Sequence, residues 1–229
     1  MESILPETPL EGGLLGRAQY WFACFFVLGW TGVVGAGLFV QLVLGEQPCP
    51  LCVVQRMFML LAATGAAYIV RTALRQAAVT GRDYMTGWGL ALVAVAVGSF
   101  ASWRQAVPHV LPGGKVGGGK VHGGGVPGGE VPGGEVLGLH PDVWVWVLFQ
   151  VSAVAVGIVL ASAHATADRA VPTAGPGPHR AAGLLALWLL GLVTAVSLAA
   201  VFLQEGFHWF LPDQPRRYEF FHDLRNLGG

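Results

Sequence analysis

Glu46-Gln47-Pro48-Cys49-Pro50-Leu51-Cys52-Val53-Val54-Gln55-Arg56 puts a Cys-x-x-Cys pair at the mouth of a long apolar segment, with an arginine four residues past the second cysteine. Proline fixes φ and lacks an N–H, so Pro48 and Pro50 fit only at the start of a helix, which the sequence places near Leu51. A helix start offers unpaired backbone N–H groups and the positive end of the helix dipole, both of which stabilise a thiolate. Sulfurs at this spacing are close enough to bridge, and a thiolate fraction lets them exchange. Arg56, one turn further along, adds a fixed cation that favours a thiolate or a reduced acceptor. Redox chemistry at a membrane surface is what this placement points to.

The surrounding chain is that of a polytopic membrane protein. Hydrophobic residues make up 54% and charged residues 11%, with a mean hydropathy of +0.59. Net charge is zero, so no basic field argues for nucleic acid. A bilayer core of ~30 Å takes ~20 helical residues. Five apolar stretches reach that length, at 18–44, 51–70, 84–107, 143–163 and 182–203. The first is not read as a signal peptide, being too long and flanked by Glu2, Glu7 and Glu11 with only Arg17. The expected fold is therefore an all-α integral membrane protein.

Alternating five helices puts residues 1–17 and the loops 71–83 and 164–181 on one side. The Cys49 loop, residues 108–142 and the tail 204–229 fall on the other. Lysine and arginine divide almost evenly, but Arg71, Arg75 and Arg82 crowd one short loop. The positive-inside rule weights such loops, so this one is expected to be cytoplasmic, along with the N-terminal tail. The Cys49 loop then faces an oxidising compartment, where a disulfide persists.

Residues 112–136 read as five glycine-dominated pentads, from Pro112-Gly-Gly-Lys-Val116 to Pro132-Gly-Gly-Glu-Val136. So little apolar surface suits a flexible spacer. A phosphate-cradling loop is disfavoured, since no strand precedes the stretch, no helix opens directly from it and the Gly-x-x-x-x-Gly-Lys-Ser/Thr pattern is absent. A second Pro/Gly-rich linker spans 166–181, and the tail beyond 203 mixes aromatic and charged residues, as an interface segment does.

Other readings of the cysteine pair are open to the same residues. Zinc needs four ligands, and no second Cys-x-x-Cys or His-x-x-x-His accompanies this one. Haem attachment needs a histidine after the second cysteine, where Val53 stands. A soft-metal site could join Cys49 and Cys52 to Met57 or Met59 and hold copper(I). The pair could also be inert core cysteines, or a structural disulfide tethering a non-catalytic scaffold. Cys24, 25 residues before Cys49, lies roughly 35 Å away along a helix axis and is expected to be a small buried hydrophobe.

Residues 46–56, following one apolar helix and opening a second, resemble the first outward loop of the DsbB disulfide bond formation proteins. The Gln-Pro-Cys-x-x-Cys core and the arginine seven residues after the first cysteine both match. The likeness extends over 18–165 and implies a four-helix bundle, here with an extra transmembrane helix at 182–203. It implies a bacterial inner-membrane thiol-disulfide oxidoreductase whose Cys49 and Cys52 are the catalytic pair, with no metal. Electrons from an exported thioredoxin-like (DsbA-like) partner would pass to the membrane quinone pool, ubiquinone or menaquinone, with Arg56 supporting quinone use. Ser102 to His109 is similar to the end of the family's third helix, which would place His109 near the quinone or leave it as a solvated loop residue. Family members carry a second cysteine pair between helices three and four, whereas residues 108–142 contain none.

Overall fold

A computed structural model describes residues 14–45, 50–110, 141–163, 169–173 and 175–205. Five helices organise them: α1 (Leu14–Leu44), α2 (Pro50–Gln76), α3 (Gly81–Val110), α4 (Pro141–Ala161) and α5 (Pro178–Glu205). Each is long and apolar enough to cross a membrane, so the chain is an all-α integral membrane protein. The helices overrun the apolar stretches at most ends. In particular α3 continues to Val110, so residues 108–110 are helical rather than part of the outward loop. The pentads, the N-terminal residues 1–13 and the tail 206–229 lie outside the described residues.

The helices are predominantly apolar, as segments facing lipid are, so packing between them is governed largely by side-chain size. The most enclosed is α2, whose buried face carries Ala62, Ala63, Gly65, Ala66, Ala67 and Ala73. At the crossing of α2 and α3 the backbones touch. A Cβ on Gly65 would come within 2.6 Å of the Ala91 nitrogen, and one on Gly87 would strike Ile69 and the Gly65 carbonyl. Glycine is required at both positions, and this contact fixes the register between the two helices.

On its far side α3 packs against α4, while α5 lies across α1 and α2. Rings tie the layers together. Phe26 meets Trp88 edge-on at 5.4 Å between centroids, and Trp30 lies 4.8 Å from Phe149.

One end of the bundle carries structure that helix length does not anticipate. Ala77, at φ 54°, takes the left-handed conformation that closes α2. Ala78–Val79 (β1) then pairs antiparallel with Arg169–Ala170 (β2), and the Val171 N–H donates to the Ala77 carbonyl. Thr173 is fully buried, and its hydroxyl donates to the carbonyl of Ala73 in the last turn of α2. The segment between α4 and α5 is thus partly built into the bundle. The Thr80 hydroxyl caps α3 by accepting from the Asp83 N–H, and Asp83 also accepts from Thr80 and from the Tyr68 hydroxyl. Tyr20, which donates to the His179 carbonyl, ties α1 to the start of α5 at this same end.

Candidate functional site

Cys52 lies at the opposite end of the bundle, in the first turn of α2. The helix starts at Pro50, where a missing N–H costs nothing. Cys52 is disulfide-bonded, while Cys24 is a free cysteine and completely buried. Cys49 lies outside the described residues. Cys24 sits one turn beyond Tyr20, toward the ladder end of the bundle, as a small core residue does.

Two neighbouring helices supply polar groups around Cys52. From α3, the Gln105 side-chain nitrogen donates to the Cys52 sulfur at 3.5 Å. From α1 come the partners of Arg56, whose guanidinium donates to the Gln41 side-chain oxygen at 2.6 Å and to the Gly37 carbonyl at 3.1 Å. Both Arg56 contacts are partly buried, and a Cβ on Gly37 would lie 3.2 Å from the guanidinium. Arg56 therefore acts first as a clamp between α1 and α2, a role its position in the sequence does not disclose.

Gln55, three residues past Cys52, is 4% exposed, and its amide nitrogen is buried without a hydrogen-bond partner among the described residues. A buried donor without an acceptor is unfavourable by about 1–3 kcal/mol. Such a group suits a site that receives a carbonyl or other acceptor. Gln41 is likewise only 2% exposed. His109 falls in the last turn of α3, one helical turn beyond Gln105; its side chain is outside what is described. Along the same half of α3 a groove of about 370 Å³ opens toward α4, lined by Ala96, Ser99, Phe100, Trp103, Trp146 and Gln150.

Met57 is 43% exposed while Met59 is buried in the core. Among the described residues no group of three or more His, Cys, Asp or Glu side chains is gathered as a metal would need.

Residues 18–116, which span α1 to α3 and include Cys49, Cys52, Arg56, Gln105 and His109, match the family model described as disulfide bond formation protein DsbB. This stretch is similar to the DsbB family. Among curated relatives, disulfide bond formation protein B of Polaromonas naphthalenivorans is 33% identical over 79 residues, covering 34% of this chain and 44% of the relative. The protein of that name in Chromobacterium violaceum is 38% identical over 87 residues, covering 38% and 49%. Disulfide bond formation protein B 1 of Pseudomonas entomophila is 36% identical over 70 residues, covering 31% and 38%. The chain spans less than half the length of each of these relatives. No solved structure matches it. The DsbB-like stretch holds every residue of the polar cluster around Cys52, whereas α4 and α5 lie beyond it.

Proposed function

We propose that the protein is a membrane thiol-disulfide oxidoreductase that reoxidises an exported thioredoxin-like partner through Cys49 and Cys52 and delivers the electrons to a membrane quinone. The observation that carries this reading is the disulfide-bonded Cys52 in the first turn of α2, with an amide donor on its sulfur, inside the DsbB-like stretch. The chain has three cysteines and Cys24 is free, so the disulfide is assigned to Cys49 and Cys52.

A thiolate of the partner attacks the Cys49 sulfur, and the Cys49–Cys52 bond breaks as a partner–Cys49 mixed disulfide forms. Cys52 departs as a thiolate, held by the N-terminal dipole of α2 and by the Gln105 N–H. The partner's second thiol then displaces Cys49, leaving the partner oxidised and both cysteines reduced. A quinone, when bound, would supply the sink for two electrons and two protons as Cys49 and Cys52 close the disulfide again. The residues fit such a group. Gln55 offers a buried, unpartnered donor for a ring carbonyl one turn from Cys52, and Arg56 places its cation at the same end of α2. His109 is assigned to the same site through its position one turn past Gln105.

With Arg71, Arg75 and Arg82 at the ladder end, the cysteine end faces the periplasm or cell exterior. The test is anaerobic incubation of the reduced protein with ubiquinone or menaquinone, counting free thiols before and after. Loss of two thiols per chain with formation of quinol is expected; unchanged thiols with both quinones would overturn the reading.

A further inference from the structure

Gln105 is 53 residues from Cys52 in sequence, and what brings the two together is the α2–α3 register. That register is fixed where Gly65 seats against Ala91. Cys52 lies 13 residues before Gly65 and Gln105 lies 14 after Ala91, so two antiparallel helices locked there meet again at this pair. Flanking residues hold Gln105 in place. Ser102 and Ala106 are fully buried, and Trp103 packs on Trp146 of α4 with centroids 5.2 Å apart. The amide is therefore presented to the sulfur by a rigid helix face.

We infer that Gln105 is a positioning residue for thiol-disulfide exchange, its side-chain N–H selecting Cys52 as the sulfur that departs as a thiolate. This deepens the thiol-oxidase reading and rests on it. A neutral disulfide sulfur accepts a hydrogen bond weakly. Once the Cys49–Cys52 bond breaks and its electron pair moves onto Cys52, the same contact becomes charge-assisted and roughly twice as strong. The contact therefore stabilises the product of the exchange more than the reactant. A sulfur whose thiolate is stabilised is also the better leaving group. The asymmetry directs the incoming thiolate to Cys49, so Cys52 is left as the electron donor.

The test uses the full chain with Cys24→Ser and Cys49→Ser, so that Cys52 is the only thiol and its ionisation is read from ultraviolet thiolate absorbance against pH. Gln105→Met keeps length and volume but removes the donor, and is expected to raise the midpoint by about one pH unit, from the size of a charged hydrogen bond. Gln105→Glu keeps the shape but replaces the N–H donor with a negatively charged carboxylate, which repels a thiolate, so its midpoint should rise further. Equal midpoints in parent, Met and Glu proteins would overturn the inference, as would a Glu midpoint below that of Met. Should one variant fail to fold, the other against the parent decides. The titration needs neither quinone nor partner, so failure here is distinct from failure of the thiol-oxidase reading, which the thiol count with quinone decides.

Discussion

The Arg56 guanidinium lies 2.6 Å from the Gln41 side-chain oxygen, joining the second turn of α2 to the last turns of α1. This contact couples the helix that carries Cys52 to the one before it. Gln41→Leu removes the acceptor from a partly buried cation, and hydrogen bonds to charged groups contribute about 1.5–3 kcal/mol. Loss of stability in that range is expected on denaturation of the detergent-solubilised protein. Arg56→Met should lose the same clamp and also slow quinone reduction with a raised apparent KM. Arg56→Lys should recover part of each, because a point charge cannot serve Gln41 and Gly37 with a planar fork. Arg56→Met kinetics equal to the parent's would remove Arg56 from the quinone site and leave it as a clamp alone.

A second expectation concerns the α2–α3 crossing. Gly87→Val drives a branched side chain into Ile69 and the Gly65 carbonyl. Overpacking of this kind costs about 1–3 kcal/mol. Because Gln105 meets Cys52 through the same register, the variant should also raise the Cys52 thiol midpoint, although position 87 lies far along α3 from the sulfur. Unchanged stability and midpoint would show that the helices adjust independently of the glycine contact.

The five helices and the place of Cys52 were legible because both are written locally, in apolar length and in prolines at a helix mouth. The partners of those residues were not. Gln105 and Gln41 sit in predominantly apolar helices, and nothing in their own neighbourhoods says which chemistry they face. Their meaning comes from a register set by Gly65 and Gly87, a close approach between distant segments that periodicity does not encode. The β1–β2 ladder escaped for a different reason, since two-residue strands have no alternation to read. Arg56 belongs to the cysteine end by its place in the sequence, but its α1 clamp is visible only in how α1 packs on α2. The segment 166–181 read as a linker from its proline and glycine content, yet Val171 and Thr173 are buried against the end of α2.

That burial leads to a third expectation. The Thr173 hydroxyl gives the Ala73 carbonyl, one of the last acceptors of α2, a second hydrogen bond beside the one from the Ala77 N–H. Thr173→Val removes that second bond while the Ala77 N–H still serves the carbonyl, and should destabilise the protein by about 0.5–1.5 kcal/mol. The site is at the other end of the bundle from Cys52, so the rate of quinone reduction by the folded fraction should not change. A variant of normal stability would show that the contact contributes nothing to holding the segment.

The cysteines themselves give a fourth. Cys49→Ser and Cys52→Ser should each abolish quinone-coupled thiol oxidation, since either removes the exchangeable disulfide. Cys24→Ser should leave it nearly intact, because Cys24 is buried in the core near Tyr20 and far from the site. Turnover that survives loss of Cys52, or vanishes with Cys24, would sink the assignment of the pair.

The last expectation concerns which side of the membrane carries the chemistry. The ladder end gathers Arg71 and Arg75 on α2, Arg82 at the start of α3 and Arg180 at the start of α5, all within a few residues of helix ends. The positive-inside rule counts such residues, so this end is expected in the cytoplasm and the cysteine end outside. The outer side is also where an oxidising environment allows the disulfide to persist between turnovers. In intact bacterial cells producing the Cys24→Ser protein, brief reduction followed by a membrane-impermeant maleimide should label the Cys49–Cys52 pair without lysis. A single cysteine placed at Thr80 in a cysteine-free background should be labelled only after the membrane is opened. The reverse pattern would put the cysteine pair in the cytoplasm and rule out an exported partner.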